Sequence, residues 1–94
     1  PAAVIRNFRH KGLAELFEQG VTHHVRADLV DRALRRLDAL HAATLPAHLR
    51  IPGFDFHPLR GSPPRFSIHV NSPWCFTFGW LGSHAIDVDL EQYH

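Results

Sequence analysis

The stretch from Phe66 to Trp80 constrains this chain most. Phe66, Ile68 and Val70 alternate with Ser67, His69 and Asn71, and Trp74, Phe76, Phe78 and Trp80 alternate with Cys75, Thr77 and Gly79. A repeat of two puts successive side chains on opposite faces of a strand, whereas a helix would scatter these apolar residues around its circumference. Between the runs, Asn71-Ser72-Pro73 is short and built of turn formers, which predicts an antiparallel hairpin. The apolar set then faces a core. Ser67, His69, Cys75 and Thr77 share the second face, expected to be open, and chemistry is sought there.

A chain of 94 residues can bury one core of helices on one sheet, so residues 1–94 are read as a single domain. With ten basic and nine acidic side chains, bulk charge does not announce a nucleic-acid binder, and any basic site must be local. Cys75 is the one cysteine, which permits no internal disulfide and fits a reducing cytoplasm. No apolar run is long enough to cross a membrane, and the start lacks the basic, apolar, small-residue order of a secretory leader. The expectation is a soluble cytoplasmic protein without membrane contact. Pro1-Ala2-Ala3 carries no structural expectation.

Val4 to Phe8 is short and rich in β-formers, which predicts an edge strand. Next, Leu13, Leu16 and Phe17 fall at helical spacing and Gly20 follows as a stop, so a short amphipathic helix is expected. A second helix is predicted from Arg26 to Thr44, with Leu29, Ala33, Leu37 and Leu40 as its apolar stripe. Its Arg32, Arg35 and Arg36 are spaced to neighbour Asp28, Asp31 and Asp38, which reads as a solvated, charge-balanced outer face more readily than as a strip along RNA. Pro46 ends that helix, and residues 45–53 form a connector. Beyond the hairpin, a Leu81-Gly82-Ser83 turn leads to a last strand in which Ile86, Val88 and Leu90 alternate with Ala85, Asp87 and Asp89. Helices segregated from a strand meander imply an α+β domain: two N-terminal helices on one face of a mostly antiparallel sheet of four to five strands.

His57-Pro58-Leu59-Arg60-Gly61 reads as an extended segment entering a turn. A histidine can move protons and an arginine can hold phosphate oxygens through several donors, the minimum for binding or cleaving a phosphodiester. By spacing alone the signal is weak, and a surface histidine beside a salt-bridged arginine is the default. Tyr93 and His94 add two proton-transfer groups at the end of the chain, where a frayed tail is the default from sequence alone. The other histidines show no ligand pair at helical spacing and there is no cysteine cluster, so neither metal nor cofactor is expected.

Ile5-Arg6-Asn7-Phe8 with His10-Lys11-Gly12-Leu13, then His57-Pro58-Leu59-Arg60-Gly61, Phe66-Ser67-Ile68, Val70-Asn71, Trp74, Phe76-Thr77-Phe78 and the closing Tyr93-His94 resemble the HigB toxins of the RelE superfamily. The resemblance covers nearly the whole chain in order. It implies a RelE-like fold and a ribosome-dependent endoribonuclease that cuts mRNA in the decoding site of the small subunit by attack of the RNA's own 2′-hydroxyl. It also implies a HigA-like helix-turn-helix antitoxin as partner, with operator DNA reached only through that antitoxin. Carried over by position, His57 and His94 are proton-transfer candidates, Arg60 is a phosphate-stabilising cation where the family usually has lysine, and Tyr93 orients or stacks. Cys75, Gln92, Lys11 and Arg65 are further substrate-binding candidates.

Two positions depart from the family pattern. Cys75 follows Trp74 where an arginine is usual, and loss of one charge-stabilising donor costs on the order of 3 kcal/mol in the transition state. Gln92 stands where an acid is usual. The competing expectation is therefore a weakened or inactive toxin fold acting as antitoxin partner and corepressor. A small unrelated α+β binding domain is the third.

Overall fold

The computed structural model describes residues 5–92. Helix α1 (Lys11–Gln19) begins where the His10 side chain caps it, Nδ1 accepting from the Leu13 N–H at 3.2 Å. It stops at Gly20, whose φ of 79° lies in the left-handed region that glycine enters without a Cβ clash. Helix α2 (Val30–Ala42) is shorter than the predicted span. Residues Ala27–Leu29 tighten into a 3-10 turn before it, and Ala43 goes to extended backbone after it. A second 3-10 turn, Pro46–Leu49, lies within the connector.

Strands β1 (His57–Leu59), β2 (Arg65–Asn71), β3 (Trp74–Leu81) and β4 (His84–Gln92) follow as an antiparallel meander in the order β1-β2-β3-β4. Both helices cover one face. Leu13 and Leu16 from α1, and Leu37 and Leu40 from α2, are buried with Ile68, Val70, Phe76, Phe78 and Val88. Each such side chain contributes roughly 1.5–3 kcal/mol through removal from water. The α+β expectation and the hairpin stand.

Four local expectations are corrected. Residues 5–8 form no strand; Phe8 makes a single parallel bridge to Val88, while Val4 lies outside the described residues. The reason is a bulge in β4. Thr77 pairs with Asp89 but Gly79 pairs with Ile86, so β4 carries one extra residue there, and Asp87 sits at a left-handed φ of 50°. The bulge interrupts the edge that a further strand would need, and it exchanges faces ahead of itself: Ala85 goes to the core and Ile86 to the second face.

The third correction concerns Arg36, which does not belong to a solvated face. It is buried, its Nε donates to the His69 carbonyl at 2.9 Å, and its guanidinium lies 4.4 Å from the Phe54 ring centroid. β2 has a register shift between His69 and Asn71, and Arg36 supplies the donor for a carbonyl at that shift. Burial and the neighbouring Arg32 and Arg35 pull its pKa below the ordinary arginine value. Among the described residues, Asp28 pairs instead with Arg26 at 2.7 Å. Finally, the second sheet face is open only at its rim. Ser67 and Thr77 are fully buried and Cys75 is buried too, with Arg65 and Glu91 from neighbouring strands meeting over Thr77.

Candidate active site

The strand register assembles the second face row by row. Leu59, Arg65, Gly79 and Ile86 lie across β1 to β4; His57, Ser67, Thr77 and Asp89 form the next row; His69, Cys75 and Glu91 form a third. After Leu59 the chain bends away through Arg60 and Gly61, whose φ of 121° only glycine adopts readily. This bend overhangs the first row and closes a cleft of about 540 Å³. Its charged lining is Arg9, Arg60, Arg65, Asp87 and Glu91, with Trp80 and Gly79 in its wall.

Arg65 is the best anchored cation. One guanidinium nitrogen donates to Thr77 Oγ1 at 3.2 Å and to the Asp87 carbonyl at 3.0 Å. The Thr77 hydroxyl in turn donates to the Glu91 carboxylate. Burial, then Arg9, pulls the Arg65 pKa below its usual value, while Glu91, Asp87 and Asp89 pull it back up. It remains a cation at neutral pH. Arg9 approaches Asp87 at 4.0 Å with its side chain half exposed, and Arg60 is exposed on the overhang. Three cations therefore face two carboxylates, an arrangement that attracts an anionic ligand.

His57 stands on the same sheet face two residues along β1 from Leu59, and it is exposed. Its Nδ1 lies 2.9 Å from the Asp55 carbonyl oxygen. A carbonyl only accepts, so Nδ1 carries the proton and, in the neutral ring, Nε2 is the nitrogen with the lone pair. Asp55 holds that carbonyl in place from a left-handed φ of 47°, a conformation Asp tolerates. The site thus sets an imidazole near one fixed guanidinium, Arg65, and two more exposed ones, Arg9 and Arg60, residue types suited to phosphodiester chemistry.

Of the sequence candidates, Arg60 and Arg65 share the cleft, with His57 on the adjacent row of that face. Cys75 is on the same face in the third row, opposite Glu91. Gln92 pairs with Trp74 and so occupies the opposite parity, with an exposed side chain. The acid on the site face is Glu91, one position earlier. Lys11 is exposed in the first turn of α1, where it acts on Glu15 and does not line the cleft. Tyr93 and His94 lie outside the described residues. Arg9, Asp87 and Glu91 were not singled out from sequence. Parity along β4 was the signal that could have found Glu91 and Asp87, whereas the contacts of Asp87 with Arg9 and Arg65 depend on the bulge, which no spacing reveals.

A family model described as HigB-like toxin, a RelE-like toxin of the type II toxin–antitoxin system HigB, matches residues 6–94. The chain is also similar to Endoribonuclease HigB of Proteus vulgaris, 40% identical over 92 residues that make up 97% of this chain and 100% of that relative.

Proposed function

The chain belongs to the HigB-like family of RelE-like type II toxins, and from that premise we propose that it is an endoribonuclease that cuts mRNA in the A site of the ribosome and so halts translation. A type II toxin has an antitoxin partner. Here that partner is proposed to be a HigA-like helix-turn-helix protein that alone touches operator DNA, and toxin and ribosome meet in the cytoplasm.

The observation that carries the reading is the cleft lined by Arg9, Arg60 and Arg65, with His57 on the adjacent row of the same sheet face and its Nδ1 held by the Asp55 carbonyl. In the proposed reaction, His57 Nε2 takes the proton of a ribose 2′-hydroxyl. The 2′-oxygen attacks the adjacent phosphorus, and the bond from phosphorus to the 5′-oxygen breaks. The products are a 2′,3′-cyclic phosphate and a 5′-hydroxyl. Arg60 and Arg65 meet the charge that grows on the phosphoryl oxygens, where fixed donors act most strongly. His94 delivers a proton to the leaving 5′-oxygen, and Tyr93 stacks against or orients the nucleotide. No cofactor or metal enters.

A second reading has one observation in its favour: Cys75, with no charge of its own, is buried among the third-row residues where a further cation would face the phosphate. On that reading the chain is a weakened toxin whose main role is antitoxin binding and corepression. Mapping mRNA 5′ ends in a translating bacterial extract separates the two. The endonuclease reading expects cuts that require ribosomes and vanish with His57→Ala. Cuts seen only with Cys75→Arg would mean a disabled toxin, and none from any folded variant would sink the enzyme reading and leave an antitoxin-binding module.

A further inference from the structure

We propose that Asn7 is a positioning residue for the cleft, a role that rests on the endoribonuclease reading of that site. Asn7 does not line the cleft, and it acts through the bulged residue Asp87. Its Nδ2 donates to Asp87 Oδ1 at 2.6 Å and its Oδ1 accepts the Asp87 N–H at 3.0 Å. The Asn7 main-chain carbonyl also accepts the Val88 N–H at 3.2 Å. One residue therefore grips side chain and backbone of a position 80 residues away, in a left-handed conformation that aspartate tolerates but most other side chains rarely adopt.

What the grip achieves lies on the other side of Asp87. A bulged residue leaves the regular ladder, so its carbonyl is free to take another donor. That carbonyl accepts from Arg65 at 3.0 Å, and Asp87 Oδ2 lies 4.0 Å from Arg9. Two of the three cations in the cleft are thus referenced to Asp87, and Asp87 is referenced to Asn7. Small displacements of a charge-stabilising group cost large factors in rate, so a loosened bulge should slow the chemistry.

Only an amide does this without cost. Alanine at position 7 leaves the Asp87 N–H unpaired, and aspartate sets two carboxylates against each other. The exchange Asn7→Asp with Asp87→Asn regenerates the pair with the side-chain donor and acceptor reversed, and asparagine tolerates the left-handed conformation.

The test uses ribosome-bound mRNA and reads the single-turnover rate constant, the half-saturating concentration and the melting temperature for wild type, Asn7→Ala, Asn7→Asp and the exchanged pair. Well below each melting temperature, Asn7→Ala and Asn7→Asp should lose about tenfold to a hundredfold in rate constant, exceeding any rise in half-saturation. The exchanged pair gives up the carboxylate beside Arg9 but restores the hold on the carbonyl that anchors Arg65, so it should recover part of that loss. A wild-type rate for Asn7→Ala, or an exchanged pair no faster than Asn7→Asp, would overturn the positioning role while leaving the cleft assignment intact. A wild-type chain that makes no ribosome-dependent cut would instead overturn the assignment, and the positioning role with it.

Discussion

Replacing Arg36 with methionine isolates what a buried arginine contributes to this fold. The substitution retains an apolar stem of similar length and removes the charge and the donors. The charged hydrogen bond from Nε to the His69 carbonyl at 2.9 Å is worth about 1.5–3 kcal/mol. The guanidinium 4.4 Å from the Phe54 centroid adds about 1–2 kcal/mol at a desolvated site. Against these stands relief from burying a charge, the cost that already lowers the Arg36 pKa. The net expectation is a loss of about 2 kcal/mol, read as a lower urea midpoint with unchanged slope. In a domain of this size that corresponds to a fall of roughly 8–16 °C in melting temperature. A loss below about 0.5 kcal/mol is what an ordinary surface substitution gives, and it would refute the claim that Arg36 ties α2 to the irregular stretch of β2.

Two further outcomes follow from the packing and the charges. A Cβ on Gly79 would lie 3.1 Å from Ile86 Cγ1 and 3.8 Å from an Arg65 terminal nitrogen, so Gly79→Ala should keep the circular-dichroism spectrum while slowing cleavage about tenfold through the crowded cleft floor; an unchanged rate would place the reaction elsewhere. The Glu15 carboxyl is held below its usual pKa first by the hydrogen bond with His24 and then by that from Thr22. A depressed folded-state value gives stability that is present above the unfolded pKa of about 4.3 and lost as pH falls through the folded value. The gap in urea midpoint between wild type and Glu15→Gln should therefore be steady near neutrality and shrink below about pH 4, and a gap constant down to pH 3 would contradict the assignment.

The alternation in β2 and β3 was legible because a period of two admits few structures and its apolar half had to face the helices. His57 and Arg60 stood out only as residue types suited to phosphodiester chemistry, and the family resemblance supplied their roles and added Arg65; the fold puts Arg60 and Arg65 in one cleft with His57 on the adjacent row. What could not be read was set by irregularities. The extra residue at Asp87 exchanged Ala85 with Ile86 and replaced the predicted edge strand at Val4–Phe8 with one bridge and the Asn7 contacts. Arg36 sits beside Arg35 in sequence, yet a turn of about 100° per residue carries one toward the sheet and leaves the other in solvent. The burial of Thr77 follows from Arg65 and Glu91 meeting over it from two other strands, a coincidence of register that strand-by-strand periodicity does not contain.

The central claim is that an RNA 2′-hydroxyl attacks its own phosphate in this cleft. The most direct measurement programs ribosomes with mRNA carrying a single 2′-deoxy substitution at the mapped cut and analyses the ends that the protein makes. The all-ribose message should give a 2′,3′-cyclic phosphate and a 5′-hydroxyl, and the substituted position should not be cut. Equal cleavage of the deoxy message, or a 5′-phosphate at the new end, would contradict it.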